Sequence, residues 1–320
     1  MNNLSSASKH SMVVRIISAL VMLFVGGPCL LFGGWYYMAA IIVVTLLSIY
    51  EFVSAPNKGR FNIFIYLVVY VCTLSFVFWY FIASDEMRTS VVNNVFIVDH
   101  LTLSPFALII YFLFLFGTTL FSKQFTMADA CYLFSMGVFI GLTMLCILFV
   151  RYLPNSKQYY GSEGLASCGL ASYLIIASTM NDIGAYFVGV TFGKHKMAPR
   201  ISPHKTWEGF FGGFVISFIF SFLFAFLMAH FGFPILPGTL DFSSGLNIGW
   251  TVMISLIAPI AGDFGDLVFS SIKRYFGIKD YGTILPGHGG ILDRIDGLSF
   301  VVLTATLIIV IIQNGWAFLA

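Results

Sequence analysis

Nine mostly apolar stretches, each about twenty residues long or more, run along the chain. They fall at residues 13–32, 35–54, 62–82, 103–122, 129–150, 167–192, 209–231, 247–276 and 294–316. A helix rises about 1.5 Å per residue, so about 20 residues cross the roughly 30 Å of bilayer hydrocarbon. The pattern predicts an all-α, polytopic integral membrane protein with about nine transmembrane helices. Composition agrees: 59% of residues are hydrophobic and 9% charged, against about 25% charged in a soluble domain. So few charges cannot cover a soluble core of this size. A soluble enzyme, a disordered chain and a basic nucleic-acid binder are excluded, and a net charge of +2 gives no reason to expect a nucleic-acid partner.

Orientation follows from Lys and Arg. With the N-terminus in the cytoplasm, thirteen of the 16 basic residues fall on inside segments and three (Arg88, Arg151, Lys157) outside. That asymmetry fits the positive-inside rule, supports an odd number of spans and puts the C-terminus outside. The polar start, Met1 to Ser11, precedes an apolar run without an A-x-A-like cleavage site, which reads as a first span. The five Cys form no C-x-x-C pair and read as small hydrophobes.

Residues 1–165 read as an N-terminal transmembrane scaffold. Arg15 and Glu51 stand near span ends, the expected place for side chains that reach back to the interface. His10, His100 and His230 stand alone. Residues 166–320 read as a C-terminal transmembrane catalytic region. Asp182 lies inside the sixth apolar run, and Asp263 and Asp266 inside the eighth. A carboxylate at bilayer depth costs about 2.5–3.5 kcal/mol on insertion scales, so each needs a cation, a basic side chain or a water-filled cavity.

Asp263 and Asp266 share a helix face, and Ser270, Lys273 and Arg274 continue the stripe. Carboxylates hold a hard cation such as Mg²⁺; Lys and Arg hold phosphate oxygens. Beyond Lys279 and Asp280, the run Pro286-Gly287-His288-Gly289-Gly290 makes a tight loop whose amides can face an anion. It enters the ninth helix, whose start favours anions and carries Asp293, Arg294 and Asp296. A loop joins spans six and seven, and its last part, Ser202-Pro203-His204-Lys205-Thr206-Trp207-Glu208-Gly209, opens the seventh helix. Gly189 to Lys194 is one residue short of a P-loop, and no Ser or Thr follows Lys194.

Ser270, Lys273, Arg274, Lys279, Asp280, Gly282, Leu285, Pro286, His288, Gly289, Gly290, Asp293, Arg294 and Asp296 fill every fixed position of one long pattern. On it the sequence resembles the phosphatidate cytidylyltransferase (CDP-diacylglycerol synthase) family. The blocks at Asn181-Asp182, Ala185-Tyr186, Gly189 and 202–209 look like the same family, and the resemblance covers roughly residues 170–300. It implies that CTP and phosphatidic acid give CDP-diacylglycerol and pyrophosphate, a step of phospholipid biosynthesis. It also implies a divalent cation, normally Mg²⁺, and a homodimer. The expected location is the bacterial inner (cytoplasmic) membrane, multi-pass, with the active site facing the cytoplasm.

The residues agree with such chemistry. A phosphate monoester is already an anion near pH 7, its second pKa being about 6, so in-line attack on the α-phosphorus needs no general base. Asp266 and Asp293 are the first-choice metal ligands, then Asp296 and Asp263. Four Asp exceed what one Mg²⁺ takes, so either a second cation is present or some of them orient Lys and Arg. Lys273, Arg274 and Arg294 are assigned to phosphate, with Lys205, Lys279, Ser270, Gly289 and Gly290 beside them. His288 either donates to the leaving pyrophosphate or braces its loop. Asp182 serves a cation or the ribose. The rivals are a CTP-dependent polyprenol or phytol kinase and an ion or phosphate transporter.

Overall fold

A computed structural model of the chain describes residues 6–56, 61–83, 105–122, 124–156, 168–287 and 289–314. These residues form α1 (Ser6–Phe32), α2 (Gly34–Ser54), α3 (Ile63–Ala83), α4 (Pro105–Phe121), α5 (Met127–Ser156), α6 (Gly169–Phe192), a hairpin of β1 (Lys196–Ala198) and β2 (Ser202–Thr206), α7 (Trp207–His230), α8 (Gly245–Tyr275) and α9 (Leu292–Asn314). Each helix coincides with one apolar run. Six of them, α2 and α5 to α9, are long and apolar enough to cross a membrane; the apolar parts described for α1, α3 and α4 are shorter. The chain is a mainly helical, multi-pass membrane protein.

The helices pack by side-chain size. The turn between α1 and α2 needs Gly33, whose φ of 64° and ψ of −144° suit a residue without Cβ. The α6–α7 pair meets backbone to backbone. A Cβ on Gly213 would stand 2.6 Å from the carbonyl oxygen of Asn181, and one on Gly209 would stand 2.8 Å from that of Ala185. Small residues permit such approach where lipid provides no hydrophobic drive. α8 packs on α9, and α9 also packs on α5 and α2, so the two halves of the chain touch.

Two expectations are corrected. The segment between α6 and α7 is no plain loop but an antiparallel hairpin, with Lys196 opposite Thr206 and Ala198 opposite Ser202. Its base is pinned from α7. Thr206 caps that helix by accepting from the Gly209 amide at 3.1 Å. Glu208 accepts from the amides of Lys194 and His195 at 3.1 and 3.2 Å. With both ends held together, the short polar strands pair with each other.

Arg151, expected in an outside loop, is completely buried, because α5 continues past it to Ser156. Its guanidinium donates to the carbonyls of Leu30 at 2.8 Å and Leu31 at 3.4 Å. These are among the last carbonyls of α1, which have no partner within their own helix. The rings of Tyr37 and Tyr152 flank the same guanidinium. The polar segments 84–104 and 157–167, and the basic residues Lys58, Arg60, Arg88, Lys123 and Lys157, lie outside the described residues.

Candidate active site

The C-terminal end of α6, the hairpin, the second half of α8 and the start of α9 converge. Lys205, on β2, reaches across to α8. Its Nζ donates to Asp263 Oδ1 at 2.8 Å and to Asp266 Oδ2 at 2.9 Å. Burial alone would lower the Lys205 pKa, but the charges of Asp266 and Asp263 outweigh it and hold the ammonium above its usual range. The second oxygen of Asp263 accepts from Asn181 Nδ2 at 3.0 Å, so this nearly buried carboxylate is fully engaged.

About two turns beyond Asp266 on α8, Lys273 donates to Asp293 Oδ1 at 2.7 Å, with Asp296 Oδ2 at 3.8 Å. Asp293 Oδ2 accepts from the amides of Tyr281 and Gly290, each at 2.9 Å. The ring of Tyr281 lies under Lys273, 5.6 Å from Nζ to centroid. Its hydroxyl pKa is raised, first by burial and then by neighbouring Tyr132, Asp293 and Asp296. Asp266 and Asp296 are within electrostatic reach of each other, as are Asp182, Asp266 and Arg294, so the two lysine centres form one charged strip.

A cavity of about 200 Å³ opens beside this strip, lined by Asp182, Tyr186, His204, Lys205, Phe210, Asp263 and Asp266 among others. Two carboxylates on it keep open oxygens: Asp182 has no hydrogen bond among the described residues, and Asp266 uses only Oδ2. Among those residues, no group of three or more Asp, Glu, His or Cys stands ready around a metal position. Mg²⁺ does not require one, since it takes one or two carboxylates and completes its shell with water and phosphate. The donor set therefore fits a hard cation.

The remaining predicted residues stand at the edge. Arg274 is exposed and donates to the carbonyls of Ile201 at 3.2 Å and Ile278 at 3.1 Å, tying the hairpin to the end of α8. Ser270 is half-buried one turn before Lys273, while Lys279 and Arg294 are exposed. His288 lies outside the described residues.

The start of α9 departs from expectation. Its amides do meet an anion, but the anion is the protein's own. Glu51, expected to reach the membrane interface, is only 1% exposed. Its Oε1 accepts from the Ile291 amide at 2.9 Å and its Oε2 from the Leu292 amide at 2.8 Å. The Gly289 amide donates to the Leu285 carbonyl and the Gly290 amide to Asp293. Neither glycine offers a phosphate a free amide. Glu51, Asn181, Thr206 and Glu208 contribute to the site although charge clustering in the sequence assigns none of them a role in it. Glu51 is open to the same depth argument, since it lies within the second apolar run near its end, as Asp182 lies within the sixth.

A sequence profile described as the cytidylyltransferase family matches residues 13–312. The phosphatidate cytidylyltransferase of Staphylococcus haemolyticus (strain JCSC1435) is 30% identical over 293 residues, covering 91% of this chain and 96% of that protein. The phosphatidate cytidylyltransferase of Staphylococcus aureus (strain COL) is 32% identical over 293 residues, with the same coverage. With both lysine–aspartate centres inside the matched region, the chain belongs to the cytidylyltransferase family.

Proposed function

We propose that the protein is a phosphatidate cytidylyltransferase, joining CTP and phosphatidic acid to give CDP-diacylglycerol and pyrophosphate. The observation that carries this reading is the strip of Lys205 and Lys273, each locked to carboxylates, beside a cavity in a membrane protein of the cytidylyltransferase family. A phosphate oxygen of the lipid attacks the α-phosphorus of CTP. The new P–O bond forms as the bond to the β-phosphate oxygen breaks, and pyrophosphate leaves.

Such chemistry needs positioning and fixed charge more than covalent help. Asp263 and Asp293 spend their oxygens on the lysines and on backbone or amide donors, so they act as positioning residues. Lys205, Lys273 and Arg294 then present fixed positive charge to phosphate oxygens. Arg274 and Lys279 extend that charge at the rim, and Ser270 and His288 are the adjacent polar groups.

Asp182 and Asp266 would hold Mg²⁺, with Asp296 beside them, and the ion would neutralise phosphate charge. Formal charge supports this. Five carboxylates, Asp182, Asp263, Asp266, Asp293 and Asp296, face Lys205, Lys273 and Arg294, and Arg274 and Lys279 at the rim only bring the count level, so a polyanionic nucleotide meets no net positive charge without a cation.

The full arrangement is nine spans with the N-terminus and active site in the cytoplasm and the C-terminus outside, in a bacterial cell membrane. Supporting it, Lys194, Lys196, Arg200, Lys205, Lys273, Arg274, Lys279 and Arg294 flank the membrane-facing helices at the site end. A homodimer is the expected assembly, tested by native mass spectrometry in detergent.

The test of function is product analysis with purified protein, phosphatidic acid, CTP and Mg²⁺. CDP-diacylglycerol and pyrophosphate should appear in equal amounts. CDP with a newly phosphorylated lipid would instead identify a kinase.

A further inference from the structure

Glu51 belongs to the N-terminal half, far in sequence from every residue of the site, yet its carboxylate ends in the loop that carries the site's last motif. Both oxygens are used, one on each of two successive amides at the start of α9. The site also explains two motif glycines. A Cβ on Gly282 would stand 2.5 Å from Glu51 Oε1, and one on Gly290 would stand 2.5 Å from Oε2. The carboxylate is thus seated between them. Among the described residues no cation pairs with it; the amides and the positive end of α9 hold its charge.

Downstream of these amides the register is tight. Asp293, which fixes Lys273 and accepts from Tyr281 and Gly290, is the residue after Leu292. Arg294 and Asp296 follow on the same first turns. A second tether from the same half touches the loop, where the Ser18 hydroxyl donates to the Pro286 carbonyl at 3.0 Å.

We propose that Glu51 is a positioning residue for the transfer reaction: it occupies the N-terminus of α9 as a built-in anion and sets the register of Asp293, Lys273 and Arg294. This rests on the cytidylyltransferase reading above. It has a chemical corollary. Since the helix start is filled, substrate phosphates are met by side chains rather than by these amides.

The test compares wild type with Glu51→Gln and Glu51→Asp in detergent. It measures kcat and KM for CTP per folded enzyme, together with hydrogen exchange of peptides spanning residues 289–295. Gln presents one acceptor and one donor to two N–H donors, so one charge-assisted bond is lost. A kcat loss of about 10- to 100-fold is expected, with KM for CTP changed much less and faster exchange at the start of α9. Asp keeps the charge and should retain more activity than Gln.

Unchanged exchange would overturn the contact. Faster exchange with kcat within about twofold of wild type would reduce Glu51 to a structural cap and overturn the proposal. Should Glu51→Gln not be recoverable, Gly282→Ala presses the same carboxylate from the opposite side and should give the same kcat loss. A wild type that makes no CDP-diacylglycerol would sink the cytidylyltransferase reading instead, while exchange would still report whether Glu51 holds the helix.

Discussion

Replacing Lys205 by Met removes one ammonium and leaves two carboxylates. In the native site that ammonium makes hydrogen bonds of 2.8 and 2.9 Å, to an Asp263 side chain only 5% exposed and an Asp266 side chain 21% exposed. Breaking a buried pair by removing one partner costs about 3–5 kcal/mol. The neighbouring cavity lets water or a cation relieve Asp266, which puts the cost near the lower end, about 3 kcal/mol. On the scaling for large domains this lowers an apparent unfolding midpoint by about 5–10 °C. Adding Asp263→Asn to Lys205→Met removes the more buried unpaired charge, so it should restore part of the lost stability. Activity should stay lost, because no fixed charge returns to the phosphates. Thermal unfolding in one detergent, with turnover measured on the same samples, reads both quantities. If Lys205→Met unfolds where wild type does, the two carboxylates do not depend on Lys205 and the reasoning fails.

Arg151→Met strips the α1 carbonyls of Leu30 and Leu31 of a charged donor inside the protein. Hydrogen bonds to charged groups contribute about 1.5–3 kcal/mol each, so a clear loss of thermal stability is expected with KM for CTP unchanged; an unaltered midpoint would contradict the buried cap. In the loop between α7 and α8, burial tends to raise the Asp241 pKa. Ser243, Asn247 and the Gly238 amide overcome it and hold the carboxyl below its usual range. A depressed folded pKa contributes stability above about pH 4, and that stability is lost as pH falls through the folded value. Asp241→Asn should therefore flatten the acid limb of the stability curve, and superimposable limbs would refute the role. Chelation of divalent cations by EDTA should stop turnover, and Mg²⁺ should restore it while leaving the helical circular dichroism unchanged. Persistent activity in EDTA would remove the cation from the account.

How much of this was legible in the sequence depended on the range of the physics. Membrane-length apolar runs are local, and all nine became helices with ends within a few residues, except that α1 and α5 extend further. The Asp263, Asp266, Lys273 stripe was equally local, being fixed by helical spacing. The assignments that needed three dimensions were less visible. Which Asp has a free oxygen depends on who donates to it: Asn181 for Asp263, and Tyr281 and Gly290 for Asp293. Glu51 reads as interfacial and Arg151 as part of an outside loop, because each stands near the end of an apolar run. Both turned out to satisfy the termini of helices distant in sequence, α9 and α1, and no local pattern announces such a partner. The hairpin at 196–206 was hidden because its strands are short and polar, without an alternating apolar face.

The central claim is that this charged strip transfers a cytidylyl group to a lipid phosphate. The direct measurement supplies CTP labelled at the α-phosphate, and in parallel at the γ-phosphate, to purified wild type and to Asp266→Asn with phosphatidic acid and Mg²⁺. The account predicts α-label in the lipid, γ-label in pyrophosphate, and loss of both transfers in a still-folded Asp266→Asn protein. Appearance of γ-label in the lipid, or near-normal transfer by Asp266→Asn, would contradict it.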